Sequence, residues 1–273
     1  MSEQLRQDIQ KVSIIMGIYN CERTLESAIQ SILAQTYTNW ELILCDDGST
    51  DETYRIANRY AQKHPGKIVL LKNEKNMRLA ATLNHCLEYV TGDYIARMDA
   101  DDVSLPQRIE KEVLFLNTHP EVDCVGTGRI IFDDAGEYGV RFDEEFPVKD
   151  ILLKRTPFAH PTIMMRAGVF KSLGGYTVSK DTMRAEDLDL WFRFFAKGYK
   201  GYVIQEALYK YREALQDFKK RTLKAAIGTS RVYLKGYKLL GFPKVKWIYA
   251  FKPIIAAILP SKFMFKYHRK KCK

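Results

Sequence analysis

Four short apolar runs alternate with three amphipathic segments in the first hundred residues of this 273-residue chain. The runs are residues 12–18, 40–45, 68–71 and 94–98, and apolar residues recur at helical spacing between them. Nearly continuous apolar runs are typical of strands that are buried on both faces of a parallel sheet. The alternation therefore predicts a Rossmann-like, doubly wound α/β half-domain.

The fourth run ends in three carboxylates within four positions, Asp99, Asp101 and Asp102, and Pro106 follows where a helix can open. Carboxylates this close repel one another unless a cation lies between them. One interpretation is a polar turn with helix-capping aspartates. The other is a divalent metal site at the carboxyl end of a strand, where open α/β sheets bind ligands.

Two common nucleotide-binding loops are missing from the sequence. The first run continues as Gly17-Ile18-Tyr19-Asn20-Cys21-Glu22, without the G-x-G-x-x-G pattern of dinucleotide sites, and no Walker A sequence occurs. The second run ends in Asp46-Asp47-Gly48-Ser49. Because Ser49 lies three residues before Glu52, we predict a capping box that opens the second helix.

The net charge of +10 is unevenly distributed. Residues 218–273 contain 16 Lys and Arg and no Asp or Glu, which leaves 27 basic and 33 acidic residues in the first 217. A basic tail of this kind needs an anionic partner, either lipid head groups or nucleic acid. The acidic body argues against a nucleic-acid partner.

The five cysteines lack C-x-x-C spacing and nearby paired histidines. We predict that Cys45, Cys86 and Cys124 are small buried apolar residues, without a disulfide framework or a zinc site. The polar stretch from Met1 to Lys11 has no apolar segment typical of a signal peptide, which favours a cytoplasmic location.

The second half of the body is less regular. Residues 122–132 predict a strand and a turn around Gly126 and Gly128, and residues 158–166 predict another buried strand. A strongly aromatic helix then begins at Glu186-Asp187. Acidic residues in a first helical turn are favoured by the helix dipole, which is the structural alternative to a functional role for this pair.

Five stretches, taken in order, resemble a family 2 glycosyltransferase of the GT-A fold. They are residues 12–20, the D-D-G-S-T-D element at 46–51, residues 76–84, the M-D-A-D-D element at 98–102, and Gly174-Gly175-Tyr176 followed by Glu186-Asp187. The two aspartate-rich elements, about fifty residues apart at the ends of the second and fourth runs, are specific only as a pair. The resemblance covers about residues 11–212.

The resemblance implies a domain organisation and an activity. Residues 1–212 would form the catalytic domain, a mixed sheet flanked by helices, with a nucleotide-sugar-binding half at about 11–105 and an acceptor-side half at 106–212. Residues 213–273 would form a basic helical tail. The expected activity is metal-assisted, inverting transfer of a sugar from a nucleotide donor, most often a UDP-sugar.

The resemblance also implies roles for individual residues. Asp101 would contact a divalent metal, Mn²⁺ or Mg²⁺, with Asp99 on the metal or on the donor ribose and Asp102 in support. Asp187 would be the general base, and Glu186 would orient the acceptor. The donor-binding residues implied are Gly17, Ile18, Tyr19, Asp47, Arg78, Asp99 and His160. The alternative for Tyr19 and His160 is that they are ordinary core residues without a role in donor binding.

The chain departs from the family pattern in two places. Relatives commonly read alanine-arginine-asparagine where this chain has Thr82-Leu83-Asn84, which leaves the role of Arg78 open. Relatives also carry a histidine shortly after tyrosine-arginine, whereas here Tyr211-Arg212 is followed by Glu213-Ala214-Leu215. The contact that this histidine makes with the diphosphate is therefore unassigned.

The tail predicts contact with lipid. Residues 223–240 predict a helix with a basic face, and residues 245–260 are apolar and aromatic with interspersed lysines and prolines. The uninterrupted apolar run between Pro253 and Pro260 is far shorter than the ~20 residues that span a bilayer. We expect a peripheral segment on the anionic inner face of the cell membrane and a cell-envelope glycan or lipid-linked acceptor. The alternative is a helix packed on the catalytic domain.

Two other functions share parts of this pattern. A sugar nucleotidyltransferase has the same kind of sheet and metal, but its glycine-rich loop after the first strand is missing here. A catalytically degenerate transferase that only binds lipid surfaces is supported by the missing histidine alone.

Overall fold

The computed structural model describes residues 10–213 and 222–259. The first half alternates strands and helices within one residue of the predicted runs. Its elements are β1 (Val12–Ile18), α1 (Leu25–Leu33), β2 (Trp40–Asp46), α2 (Thr53–Lys63), β3 (Ile68–Lys72), α3 (Leu79–Leu87) and β4 (Tyr94–Arg97).

The second half mixes short strands, 3₁₀ helices and longer helices. Its elements are β5 (Val103–Ser104), α4 (Arg108–Thr118), β6 (Cys124–Asp133), β7 (Gly136–Arg141), β8 (Met164–Arg166), α5 (Ala167–Leu173), α6 (Glu186–Ala196), β9 (Gly201–Arg212), α7 (Leu223–Leu239) and α8 (Lys252–Ile258). The 3₁₀ helices are Lys149–Leu153, His160–Thr162 and Lys244–Phe251.

In the described part of the chain, nine strands form one mixed sheet in the order β3-β2-β1-β4-β8-β6-β9-β5, with β7 paired to β6. Strands β3, β2, β1 and β4 are mutually parallel, and β8 runs antiparallel to both β4 and β6. The predicted mixed α/β fold is therefore confirmed. Because the chain winds from β1 first to β2 and later to β4 on its other side, a crevice opens at the carboxyl ends of β1 and β4.

Two hydrophobic clusters cover the two faces of this sheet. Ile14 and Met16 of β1 belong to the cluster that includes residues of α1 and α4, whereas Ile15 belongs to the cluster that includes residues of α3 and α6. Successive strand residues point to opposite faces, so β1 is buried on both sides as its sequence predicts. Cys45, Cys86 and Cys124 are fully buried, as expected.

Two predictions in the second half are wrong in detail. Residues 158–166 do not form one strand, because His160–Thr162 is a 3₁₀ helix and only Met164–Arg166 is extended. Pro161 lacks the N–H that a sheet ladder needs and is favoured in a first helical turn. Gly126 and Gly128 make no turn but lie inside β6, where a Cβ at Gly128 would come within 2.3 Å of the Phe142 ring.

The capping box before α2 is also wrong. The Ser49 hydroxyl accepts a hydrogen bond from the backbone N–H of Asn20, at 3.0 Å, instead of capping the helix. The backbone N–H of Thr53, the first residue of α2, instead donates to Oδ1 of Asp51 at 3.0 Å. Ser49 therefore ties the loop after β1 to the loop after β2.

Helix α7 packs against α6. Gly236 lies against the ring of Phe192, where an added Cβ would approach to 2.2 Å. Tyr237 is fully buried and its hydroxyl donates to the Leu153 carbonyl at 2.8 Å. Within residues 10–213 and 222–259, none of the helices combines the length and the apolar character that crossing a bilayer requires.

Candidate active site

A cleft of about 840 Å³ opens at the carboxyl edge of the parallel strands. It lies where the order of strands around β1 predicts a ligand site. Of the residues predicted from sequence, those that line it are Gly17, Ile18, Tyr19, Asp47, Arg78, Asp99, Asp101 and Glu186. Asp187 and His160 are not among the lining residues.

The loop after β1 forms one side of the cleft. Gly17 packs closely against α3, so that an added Cβ would lie 3.2 Å from Thr82 and 3.3 Å from Leu79. The side chain of Tyr19 remains 46% exposed at the end of the strand. Tyr19 is therefore no core aromatic, and its ring is available to a flat group in the cleft.

Asp47 is buried and organises the loop before α3. Its Oδ1 accepts from the backbone N–H of Met77 at 2.7 Å and from the Asn73 side chain at 2.9 Å. Its Oδ2 accepts from the backbone N–H of Arg78 at 2.9 Å. These bonds hold Arg78 at a φ of +74°, an uncommon conformation for a residue with a side chain. Asp47 thus sets the course of the backbone beside Arg78.

The three carboxylates after β4 form a compact cluster. Asp99, Asp101 and Asp102 each offer one oxygen, and these oxygens lie within 4.8 Å of one another. Asp102 is buried, and its Oδ1 accepts from the backbone N–H of Arg212 at 2.7 Å. Burial, reinforced by the charges of Asp99 and Asp101, raises the pKa of Asp102 well above its ordinary value. Clustered hard oxygen ligands suit a divalent cation such as Mg²⁺ or Mn²⁺, so these residues fit the predicted metal.

Arg97, which the sequence analysis did not single out, lies directly below this cluster. Its guanidinium forms a bidentate ion pair with Asp99, with nitrogen–oxygen distances of 2.5 and 2.6 Å. Burial alone would lower the pKa of Arg97, but the charge of Asp99 raises it, so the side chain stays charged. The position of Arg97 at the end of the strand, two residues before Asp99, could have indicated a role in the site. An arginine in a strand commonly faces solvent, however, so the sequence alone did not favour this role.

Glu186 and Asp187 begin α6. Burial, and then the charge of Asp187, raises the pKa of Glu186 to about 7. Burial also raises the pKa of Asp187, to which Asp99 adds, whereas the N–H of Leu188 and the charge of Arg97 act in the opposite direction. A carboxylate whose pKa is raised in this way is a stronger base once it is ionised.

The Gly174-Gly175-Tyr176 stretch is a structural clamp. Both glycines have a φ of +70°, and a Cβ at Gly175 would lie 2.6 Å from the Asn84 side chain. Asn84 accepts from the backbone N–H of Tyr176 and donates to its carbonyl, both at 2.8 Å. The Tyr176 hydroxyl lies 2.9 Å from Nε2 of His160. This clamp ties α3 to the loop that precedes α6.

His160 is buried next to the ion-paired Arg97. Burial, together with the charge of Arg97, lowers the pKa of His160 well below its ordinary value. The imidazole is therefore neutral at physiological pH and is held by Tyr176 behind the cleft wall. A role for His160 in donor binding stays a prediction.

The start of α7 supplies residues that sequence reasoning assigned to the tail. Thr222, Lys224 and Ala225 line the cleft together with Arg212. The Thr222 hydroxyl caps the helix by accepting from the Ala225 N–H at 3.3 Å. Lys224 adds a positive charge to a cleft whose lining includes several carboxylates and four arginines. The stretch in which relatives carry the additional histidine, residues 214–221, lies outside the described residues.

A search with family models matches the glycosyl transferase family 2 model over residues 13–174 and the glycosyl transferase family group 2 model over residues 94–268. The chain belongs to glycosyltransferase family 2. The M-D-A-D-D element, the loop after β2 and the clamp around Tyr176 therefore fall within a recognised glycosyltransferase domain. The predicted enzyme class, a glycosyltransferase, is confirmed.

Curated and solved relatives agree with this assignment. The glycosyltransferase EpsE of Bacillus subtilis is 51% identical over 96% of this chain and 94% of its own. The UDP-Glc:alpha-D-GlcNAc-diphosphoundecaprenol beta-1,3-glucosyltransferase WfaP of Escherichia coli is 32% identical over 69% of this chain and 72% of its own. The mannosyltransferase PcManGT of Pyrobaculum calidifontis, solved with GDP-Man and Mn²⁺, shares the fold, with a TM-score of 0.64, 18% identity and coverage of 97% and 81%.

Proposed function

We propose that this enzyme transfers a sugar from a nucleotide donor, a UDP-sugar, to a hydroxyl of a cell-envelope glycan or lipid-linked acceptor, with metal assistance and inversion at the anomeric carbon. The observation that carries the proposal is the cleft itself. It combines an exposed aromatic ring, a carboxylate cluster and an acidic helix start at one edge of the sheet. The name of the relative WfaP, which specifies UDP-Glc and a diphosphoundecaprenol acceptor, supports this choice of donor and acceptor.

The donor would bind along the carboxyl ends of β1 and β2. The Tyr19 ring would lie against the base, and the backbone at Gly17 and Ile18 and the carboxylate of Asp47 would bind its polar edge. Because the oxygens of Asp47 already accept three hydrogen bonds, this residue would act largely through the loop that it holds. Arg78 lines the same part of the cleft and would face the phosphates.

Asp99 and Asp101 would hold the divalent cation, and Asp102 would support them from its buried position beside Arg212. A bound divalent cation supplies Lewis-acid stabilisation of the negative charge that develops on the departing nucleoside diphosphate. Arg97 would keep the Asp99 carboxylate in place through its bidentate ion pair.

The acceptor hydroxyl would attack the anomeric carbon from the side opposite the diphosphate. The new carbon–oxygen bond forms while the bond to the diphosphate breaks, which inverts the configuration. Asp187 would accept the hydroxyl proton, and Glu186 would orient the acceptor. The pKa values of Glu186 and Asp187 are raised, which suits carboxyl groups that accept a proton better than carboxylates that hold a cation.

A lipid-linked acceptor also determines where in the cell the enzyme would work. We propose that the enzyme works on the cytoplasmic face of the membrane, where the basic segment 218–273 contacts anionic lipid. The acceptor would be carried by the same membrane. Sixteen basic residues without an acidic one support this contact.

A panel of nucleotide sugars tests the proposal, with Mn²⁺, Mg²⁺ or a chelator. We expect metal-dependent release of nucleoside diphosphate from one donor and a matching rise in melting temperature. Pyrophosphate release from a nucleoside triphosphate and a sugar phosphate would instead reveal nucleotidyl transfer. Stabilisation by a donor without any turnover, in the presence of candidate acceptors, would contradict catalysis.

A further inference from the structure

The segment at 244–258 carries large apolar side chains on its outer side. In the 3₁₀ helix, Val245 and Ile248 are 82% and 71% exposed, and in α8, Ile255 and Ile258 are 63% and 73% exposed. Phe251, between them, is about half exposed. We call these five residues the apolar stripe. Large apolar side chains that are exposed together mark an interaction surface.

The inner side of the same segment is already packed. Ala250 is fully buried, and the Trp247 indole N–H donates to the Phe242 carbonyl at 3.1 Å. A 3₁₀ helix has three residues per turn, so Trp247 and Ala250 share one side while Val245 and Ile248 share another. Among the residues that the structure describes, the inner side of the segment is therefore packed and the apolar stripe stays exposed, which leaves it open to a partner.

The charges around the apolar stripe are basic. Lys244, Lys246 and Lys252 lie within the segment, and no Asp or Glu occurs between residues 240 and 259. Lys154 adds a further positive charge, 5.4 Å from the ring centre of Tyr249, while Asp150 pairs with Lys246 at 3.7 Å. The 14 residues that follow, 260–273, contain six Lys and Arg and no acidic residue.

We propose that the apolar stripe inserts into the interface of an anionic lipid bilayer, with Lys244 and Lys252 at the head groups. Apolar side chains rimmed by lysines match acyl chains below a layer of negative head groups, whereas a protein partner would need shape and polar complementarity as well. The proposal names the residues that make the membrane contact. It rests on the proposed function, which places the enzyme at the membrane.

Co-sedimentation of the full chain with phosphatidylglycerol-containing vesicles tests the stripe. The variant Ile248→Glu/Ile255→Glu should bind these vesicles at least about tenfold more weakly, because two apolar side chains are replaced by charges that repel the surface. The matched control is Leu114→Glu on α4, a site that is 62% exposed but distant in sequence from the stripe. Donor hydrolysis and stabilisation by UDP should stay unchanged in both variants, which also shows that they fold.

A second pair of variants tests the lysine rim. Lys244→Glu should weaken binding to phosphatidylglycerol vesicles, whereas Lys63→Glu on α2 should not, and neither change should matter for weak binding to pure phosphatidylcholine.

Three outcomes would overturn the lipid assignment. They are unchanged vesicle binding in the double variant, an equal loss in the Leu114→Glu control, and a wild-type dimer that the double variant dissociates without any vesicle binding. The last result would make a second copy of the chain the occupant. By contrast, a wild-type protein that binds vesicles but hydrolyses no donor contradicts the transferase proposal and leaves the stripe assignment standing.

Discussion

The two halves of the cleft hold their carboxylates in opposite ways. On the donor side, Asp47 accepts three hydrogen bonds and Asp99 is clamped by the guanidinium of Arg97. On the acceptor side, Glu186 and Asp187 lie in buried surroundings that raise both of their pKa values. Asp47 and Asp99 are therefore held in position by hydrogen bonds and an ion pair, whereas burial raises the pKa of Glu186 and Asp187, as it does that of Asp102. In the proposed mechanism, this difference separates donor binding from proton transfer.

The largest effect should come from the donor side, at Asp101. Asp101→Ala should lower metal-dependent release of nucleoside diphosphate about a thousandfold, because metal stabilisation of the leaving group is worth several kcal/mol. The same variant should lose the metal-dependent part of its thermal stabilisation by UDP. Asp150→Ala, an exposed carboxylate outside the cleft lining, is the control. Unchanged release in Asp101→Ala would remove the carboxylate cluster from the mechanism.

Asp187→Asn should act on turnover alone. We expect kcat to fall about a hundredfold or more, since a general base contributes at least that much, while stabilisation by UDP and metal stays as in the wild type. Asp189→Asn on the same helix is the matched control, because Asp189 is held in an ion pair with Arg193 and has no proposed role in proton transfer. A parallel loss of UDP binding in Asp187→Asn would mean that the two sides are not separate in function.

Lys224 tests whether the start of α7 belongs to the donor side. If its ammonium group binds the diphosphate, Lys224→Ala should raise the KM for the donor about tenfold with little change in kcat. Lys238→Ala, at the exposed far end of the same helix, should leave both parameters unchanged. Equal KM values for the two variants would assign Lys224 to a solvated helix end.

The smallest effect should be a pH-dependent gain in stability from Glu186→Gln. With a pKa of about 7 in the folded protein against 4.5 as the ordinary value, Glu186 favours folding less as pH rises through this interval. The neutral amide avoids that loss, so the variant should melt about 2–4 °C above the wild type near pH 8 and close to it near pH 5. Thermal melts without ligand measure this, with the exposed Glu88→Gln as control. A gain that is equal at both pH values would contradict ionisation as the cause.

The alternation of strands and helices, and the edge that bears the cleft, followed from patterns within single segments. The apolar runs ended where the structure ends β1, β2 and β4, to within one residue, and parallel strands bring their carboxyl ends to one edge. This alone predicts that Tyr19, Asp47 and Asp99 meet. The nearly continuous apolar run of β1 likewise predicted its burial on both faces.

Contacts between distant segments did not follow from such patterns. Whether Ser49 caps α2 depends on hydrogen bonds to other loops. Its hydroxyl already accepts a hydrogen bond from the backbone N–H of Asn20, in the loop after β1. The two glycines in β6 predict a turn from sequence alone. In the structure they lie against the rings of Phe158 and Phe142, which leave no room for a side chain. Lys224 joins the cleft through the packing of α7 on α6, for which the basic composition of the tail gives no signal.

The path of α7 limits how this enzyme can be re-engineered. The helix has 17 residues, about 25 Å in length, and runs from the cleft wall at Thr222 to the turn at Gly241 that precedes the apolar stripe. A chimera joined at residue 213 would exchange part of the cleft lining together with the apolar stripe. One joined just after Gly241 would keep the cleft lining and replace the apolar stripe together with the buried side chains of Phe242 and Ala250, so an exchanged segment must also restore that packing.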